Sequence, residues 1–300
     1  MKRPLVTTVL AILAAVALAT GGLFYLAGSA AGTQWLSDKI PALSGGSLEW
    51  EEVEGTFLQS LRIQGLRLRL PGVALDIEKV TLDWRPARLV SGTVQVDLIA
   101  ATGIGIALSD SGEVDPPAEP FNPADLDLPF DVVLERLELR DIDVRMDGGP
   151  SQRVEAVDLA ARLQDQQLTL GEIGLRAADG GLSGNGAMGL VAAMPLRLDV
   201  QWQWRLSEQL LGGHLQAAGD ANILELDHAG RGAVPVNLRG NVLALLTRPA
   251  WDLAIEWPDF AITIDQSTLS VGPGNIHSEG DLDQYRLASE GKLTYEETDE

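Results

Sequence analysis

The sequence is that of an all-β chain hung from one N-terminal helix, and three observations carry that reading. From Ser47 onward apolar and polar side chains alternate with a period of two, in runs bounded by Gly, Pro, Asp or Asn. Segments with the 3.6-residue period of an amphipathic helix are nearly absent between residues 48 and 295. The only long uncharged stretch lies at the N-terminus, from Pro4 through Gln34.

In chain order, Met1-Lys2-Arg3 supplies two basic residues, and Leu5 to Ala27 is long enough to cross a hydrocarbon layer at about 1.5 Å per residue. A cleaved leader has an apolar core of about 7–15 residues and a small-residue site, which Gly28-Ser29-Ala30-Ala31 supplies. The run is longer than that, and Phe24-Tyr25 stand where interfacial aromatics anchor a helix end. A retained transmembrane anchor over residues 1–30 is therefore expected. Lys2 and Arg3 stay in the cytoplasm and the chain beyond residue 30 lies across the membrane.

Residues 31–109 follow as a β region with short helices at Gln34–Ile40 and near Pro86–Ser91. Leu61, Ile63 and then Leu66, Leu68, Leu70 change phase at Gly65, which marks a glycine bulge or turn in a half-buried strand. Val73, Leu75, Ile77, then Val80, Leu82, Trp84, then Val94, Val96, Leu98 continue the alternation as runs of about four to eight residues, expected to be short antiparallel strands. Residues 110–131 are rich in Pro and acid without periodicity, an extended linker. From 132 to 300 the alternation resumes. Leu196, Leu198, Val200, Trp202 and Trp204 form its longest run; Trp251, Leu253, Ile255 and Trp257 form another. Gly-punctuated units such as Gly219 to Leu226 recur without a strict period, so the sheet is quasi-repetitive and not a fixed-repeat solenoid.

Composition limits function. With 22 Lys plus Arg against 43 Asp plus Glu, the formal charge of 22 − 43 = −21 argues against a nucleic-acid binder. The absence of Cys removes thiol catalysis, disulfides and thiolate metal sites. His214, His228 and His277 lack ligand spacing, so no metal and no cofactor is expected. Gly180 to Gly186 lacks the Gly-Lys-Ser/Thr ending of a phosphate loop and is expected to form turns between strands. No nucleophile, base or metal constellation stands out, and the chain is not expected to be an enzyme.

The order of features resembles a known family. Gly46-Ser47-Leu48 is followed by VEGTFLQSLRIQGLRLRLPGVALDIEKVTLDWRPARLVSGTVQVDLIAATGIGI, and then by LERLELRDIDV at 134–144, LSGNGAMGL at 182–190, MPLRLDVQWQW at 194–204 and PAWDLAIEWPDF at 249–260. This is similar to the N-terminal region of the TamB family, within the AsmA-like superfamily of envelope proteins. Leu82-Asp83-Trp84 and Trp251 to Pro258 are its most specific parts. The resemblance implies an elongated antiparallel sheet folded into a taco-like groove, anchored in the inner membrane with its bulk in the periplasm. It implies phospholipid transport to the outer membrane and a role in autotransporter and outer-membrane protein assembly. The outer-membrane barrel partner TamA meets a C-terminal domain that is not seen before Glu300, so the chain is expected to be a fragment and TamA binding is not carried over.

The alternation also argues for a conduit, because the apolar face of an elongated single sheet has no second layer to cover it. Acyl chains replace water there at about 0.8 kcal/mol per buried CH₂. The candidate wall residues are Val80, Leu82 and Trp84 near the membrane, then Leu196, Leu198, Val200, Trp202 and Trp204, then Leu253, Ile255 and Trp257. A closed sandwich shows the same periodicity. An assembly factor working by strand addition, an adhesin with outward Trp platforms and an envelope hydrolase stay open as other classes.

Overall fold

The computed structural model describes residues 47–56, 60–109, 130–146, 149–264 and 267–297. The expected anchor over 1–30, the helix at Gln34–Ile40 and most of the 110–131 linker lie outside them. Among the described residues no helix is long and apolar enough to cross a membrane.

The chain is nearly all strand. β1 (Leu48–Glu49), β2 (Glu52–Gly55), β3 (Ser60–Leu70) and β4 (Val73–Trp84) lead through a 3₁₀ turn at Pro86–Ser91 to β5 (Thr93–Leu108). Next come β6 (Asp131–Met146), β7 (Gln152–Gln164), β8 (Gln167–Ala177), β9 (Gly180–Gly189), β10 (Leu196–Leu206), β11 (Gln209–Gly219), β12 (Ile223–Gly232), β13 (Asn237–Leu243) and β14 (Ala250–Trp257). β15 (Phe260–Ile264), β16 (Ser267–Val271), β17 (Gly274–Asp281), β18 (Tyr285–Glu290) and β19 (Leu293–Glu297) complete it. One open, curved, 16-stranded sheet runs β1-β3-β4-β5-β6-β7-β8-β9-β10-β11-β12-β13-β14-β17-β18, with β2 beside β3; β15, β16 and β19 form a separate three-stranded sheet. Fifteen strands in a row, at about 4.8 Å spacing, give an arc of about 67 Å.

Two expectations are corrected. β5 and β6 are 16 residues each and pair in parallel, where short antiparallel strands were expected. β6 begins beside the start of β5, Asp131 opposite Thr93, and the two strands run the same way to Met146 opposite Leu108. The glycine-rich 180–189 segment is strand β9 and not turns, because Gly184 and Gly186 stand opposite Val200 and Leu198 and leave room for those side chains.

The phase changes in the sequence are one feature shared by five strands. Gly65, Glu78, Gly103, Asp141 and Glu155 are each skipped in the ladder at the same level, between pairs such as Lys79↔Thr102 and Ile77↔Ile104. Gly65 (φ 62°), Gly103 (φ 67°) and Asp141 (φ 54°) take the left-handed conformation there. A Cβ on Gly103 would run into the Glu78 side chain. Because every strand inserts one residue at one level, the register survives and alternation resumes on the same face. Val80, Ala101 and Leu139 before the insertion pack in one cluster with Leu75, Ile77, Ile104 and Ile142 beyond it. A single strand thus reads as two short runs three residues apart in phase.

Seven residues of that cluster, from Ala101 at 4% to Val144 at 8%, are buried on one face of one sheet. Among the described residues no second layer covers them, so the burial comes from the sheet curling toward its apolar face. The polar face carries cross-strand ion pairs such as Arg69–Asp76, Arg140–Asp158 and Arg239–Asp227. Arg69–Asp76 and Arg239–Asp227 are solvent-exposed and each worth about 0–1 kcal/mol, while Arg140–Asp158 is half-buried.

Candidate functional site

Strand register builds the site. Val200, Leu215, His228, Leu238, Ile255 and Ile276 are successive partners across six strands, and Leu198, Ala217, Leu226, Gly240, Leu253 and Ser278 form the next row. Both rows lie on the apolar face, while Arg197, Gln201, Gln203 and Glu256 between them point the other way and are exposed. His228 is the only Asp, Glu, Lys, Arg or His on this face from β8 to β18. The face is thus a continuous apolar band crossing the later half of the sheet.

The predicted wall residues fall into two environments. Leu82 and Trp84 are each 4% exposed and pack with Leu61 and Val96 in a sealed cluster; Val80 packs against the neighbouring one. Leu196, Leu198, Val200, Trp202, Leu253, Ile255 and Trp257 are half-buried, and Trp204 is exposed. Only the second set presents surface to a ligand.

Each tryptophan of the β8 to β18 band stands opposite a glycine of the neighbouring strand, and at three of the four the indole occupies space that a Cβ there would take. Trp202 pairs with Gly213, Trp204 with Gly180, Trp251 with Gly280 and Trp257 with Gly274. A Cβ on Gly213 would come within 2.8 Å of Trp202 Nε1, on Gly180 within 2.9 Å of Trp204 Cδ2, and on Gly274 within 2.6 Å of Trp257 Cζ2. Three indole N–H groups are satisfied inside the protein: Trp202 donates to His228 Nε2 (3.1 Å), Trp251 to Ser278 Oγ (2.9 Å) and Trp257 to the Gly272 carbonyl (2.9 Å). The Trp202 and His228 rings stack with centroids 5.8 Å apart and planes 14° apart. With the polar edge of each of these indoles occupied, what remains is broad, flat and apolar.

Gly213, Gly274, His228 and Ser278 were not among the candidates. Their signal is cross-strand, a Gly or an acceptor opposite each Trp, and it becomes readable only once the register is known.

The other histidines face away. His214 Nε2 lies 2.8 Å from Asp199 Oδ1, and His277 lies 3.5 Å from Asp252. Asp199 titrates below the ordinary 3.8 because it accepts a hydrogen bond from Gln216 and then one from His214. Among the described residues no group of three or more His, Asp or Glu is placed to hold a metal ion. Among the described residues the arrangement presents an apolar surface on one face of the sheet.

One family model matches, described as "TamB, N-terminal domain", over residues 19–152 and again over 145–300. No curated protein and no solved structure matches the chain. The two matched stretches together span most of the sequence, from the run before the first strands to Glu300. An open β-sheet with one apolar face, built on a sequence that this model matches almost throughout, belongs to the TamB N-terminal domain family.

Proposed function

We propose that the protein is anchored in the inner membrane by its N-terminal segment and that its curved sheet is a groove through which phospholipid passes between the inner and outer membranes, contributing to outer-membrane protein and autotransporter assembly. The observation that carries this reading is the apolar band of β8 to β18, on which three indoles have their N–H groups occupied within the protein. A band of half-exposed Leu, Val, Ile and Trp costs free energy in water, and acyl chains offset that cost at about 0.8 kcal/mol per CH₂. Family membership supports the envelope setting.

The test is lipid co-purification. The chain is extracted in mild detergent and its bound phosphorus quantified, beside a Leu198→Asp variant that puts a carboxylate into the band. Stoichiometric lipid on the parent protein and its loss in the variant are expected; a lipid-free parent protein would sink the proposal.

A second reading rests on its own observation. Among the described residues β18 pairs with β17 alone, and all six of its residues are exposed. Such an edge can take on an incoming strand, so action on protein clients by strand addition is the alternative. Crosslinks from β18 to nascent barrel proteins, with no lipid in the groove, would favour it.

A further inference from the structure

The two lips of the groove differ. On one, each hairpin loop is hydrogen-bonded to the next: Leu190 N–H to the Gln166 carbonyl, Ala221 N–H to Ala193, and Ala244 and Leu245 N–H to Asn222 and Ala221. The cation there, Arg248, is held by Asp281 and Asp283 at 3.0 and 2.9 Å. The other lip is made by the turns at 178–179, 207–208 and 233–236. Here the apolar band runs out uncovered, with Trp204 36% and Leu206 55% exposed on the groove side and Leu210 45% exposed on the polar side of the same hairpin.

Just over this lip, on the polar face, opens a hollow of about 830 Å³ lined by Arg176, Arg205 and Arg231. Arg176, Gly181, Gln203, Gly212 and Arg231 form one transverse row, and Arg205 stands nearer the tip, opposite Leu210. Gly181 and Gly212 contribute no side chain, so the floor is backbone. None of the three arginines has an ion-pair partner among the described residues, whereas ten of the other fourteen described arginines do and the remaining four stand apart from one another. Of the carboxylates in the lining, Asp158 is already bonded to Arg140 at 2.6 Å, leaving Glu172 and Asp179. In a chain of net charge −21, three unpaired guanidinium groups in one hollow are a departure that calls for an anion.

We propose that this lip is the headgroup side of the groove: the phosphate of a phospholipid whose chains lie on the Trp204 and Leu206 side is met by Arg205, with Arg176 and Arg231, each two strands (about 10 Å) to either side, supplying the positive field that draws it over the rim. The geometry suits a bent amphiphile. Each arginine is two residues from its turn, about 7 Å of strand, which a guanidinium on its side chain spans to reach the rim. The inference rests on the groove reading above and adds which rim faces the headgroup and what recognises it.

The experiment separates the two. The whole chain in detergent is loaded with phosphatidylglycerol or with diacylglycerol carrying the same acyl chains, and bound lipid is quantified by mass spectrometry. An R176Q/R205Q/R231Q variant is compared with R62Q/R145Q/R197Q, which removes three arginines elsewhere that also have no ion-pair partner among the described residues. Phosphatidylglycerol loading is expected to fall about tenfold in the first variant alone, the scale of a lost charge-assisted contact, with diacylglycerol loading unchanged in both. Undiminished phosphatidylglycerol loading, or an equal fall in the control variant, would overturn the headgroup site while leaving the groove intact. Failure of the parent chain to load either lipid would overturn the groove reading and this inference with it. Displacement of phosphatidylglycerol by millimolar inorganic phosphate alone would mark a free-phosphate site and also overturn the proposal.

Discussion

Replacing Gly213 by Ala tests whether the groove floor is built by indoles that fill the space over glycines. The added Cβ would meet the His228 ring and come within 2.8 Å of Trp202 Nε1, so the stacked pair must lift. Overpacking of this kind costs about 1–3 kcal/mol and loss of the aromatic contact up to about 1 kcal/mol more. Against it, removing a glycine from the unfolded ensemble stabilises by about 0.4–1 kcal/mol. The net is a destabilisation of about 1–3 kcal/mol. Gly174→Ala is the matched control: it also lies in a strand, its φ is ordinary, and its nearest contact would be Asp158 Cβ at an unstrained 3.5 Å. That variant is expected to gain the entropic term alone. In urea unfolding followed by tryptophan fluorescence, with a slope of about 2–3 kcal/mol per molar, the Gly213→Ala midpoint falls by about 0.3–1.5 M and the Gly174→Ala midpoint holds or rises. Equal midpoints for the two variants would refute the packing of indole over glycine.

Three further outcomes follow from the same geometry. Gly103→Ala meets both a left-handed backbone and the Glu78 side chain and is expected to cost about 2 kcal/mol or more, whereas Asp141→Gly at the same level changes stability by less than about 1 kcal/mol, both read by thermal unfolding. The Asp220 and Asp281 carboxylates titrate below the ordinary 3.8 because they accept backbone N–H groups, Ile223 and Asn222 for the first and Gln284 and Asp283 for the second. Folded values below unfolded ones mean that these loop contacts are at full strength above the ordinary carboxylate range and are lost as pH falls through the depressed values; the protection of the Ile223 and Gln284 amides, taken relative to their intrinsic exchange rates, should fall only on that acid limb, and constant protection across it would count against the loop geometry. Trp202→Phe removes the donor to His228 and is expected to cost about 0.5–1.5 kcal/mol while lipid co-purification persists, since the wall stays apolar.

The sequence carried the strand pattern because one face of this sheet is apolar and the other wet, so the period of two survives even where strands are glycine-rich. Leu196 to Trp204 could be assigned to a face residue by residue for that reason. What the one-dimensional pattern hid was anything made between strands. The crease through Gly65, Gly103 and Asp141 looked like a bulge in one strand and breaks between others, since alignment across five strands exists only in the register. The parallel β5–β6 pair was hidden because strand direction leaves no mark on alternation. Gly180 to Gly186 read as turns because the indole and aliphatic side chains that need its empty space belong to β10. The difference between sealed Leu82 and Trp84 and half-open Leu198 and Trp202 was likewise out of reach, because curvature and not hydropathy decides which part of one apolar face closes on itself.

The most direct test of the groove is site-specific photocrosslinking in the native envelope, with the probe placed in turn at Leu198, Trp202 and Ile255 and, on the opposite face, at Arg197, Gln203 and Glu256. Lipid adducts confined to the first three positions are expected. Adducts at none of the six, with the first three crosslinking only within the protein, would mean a closed core and would contradict lipid passage along this sheet.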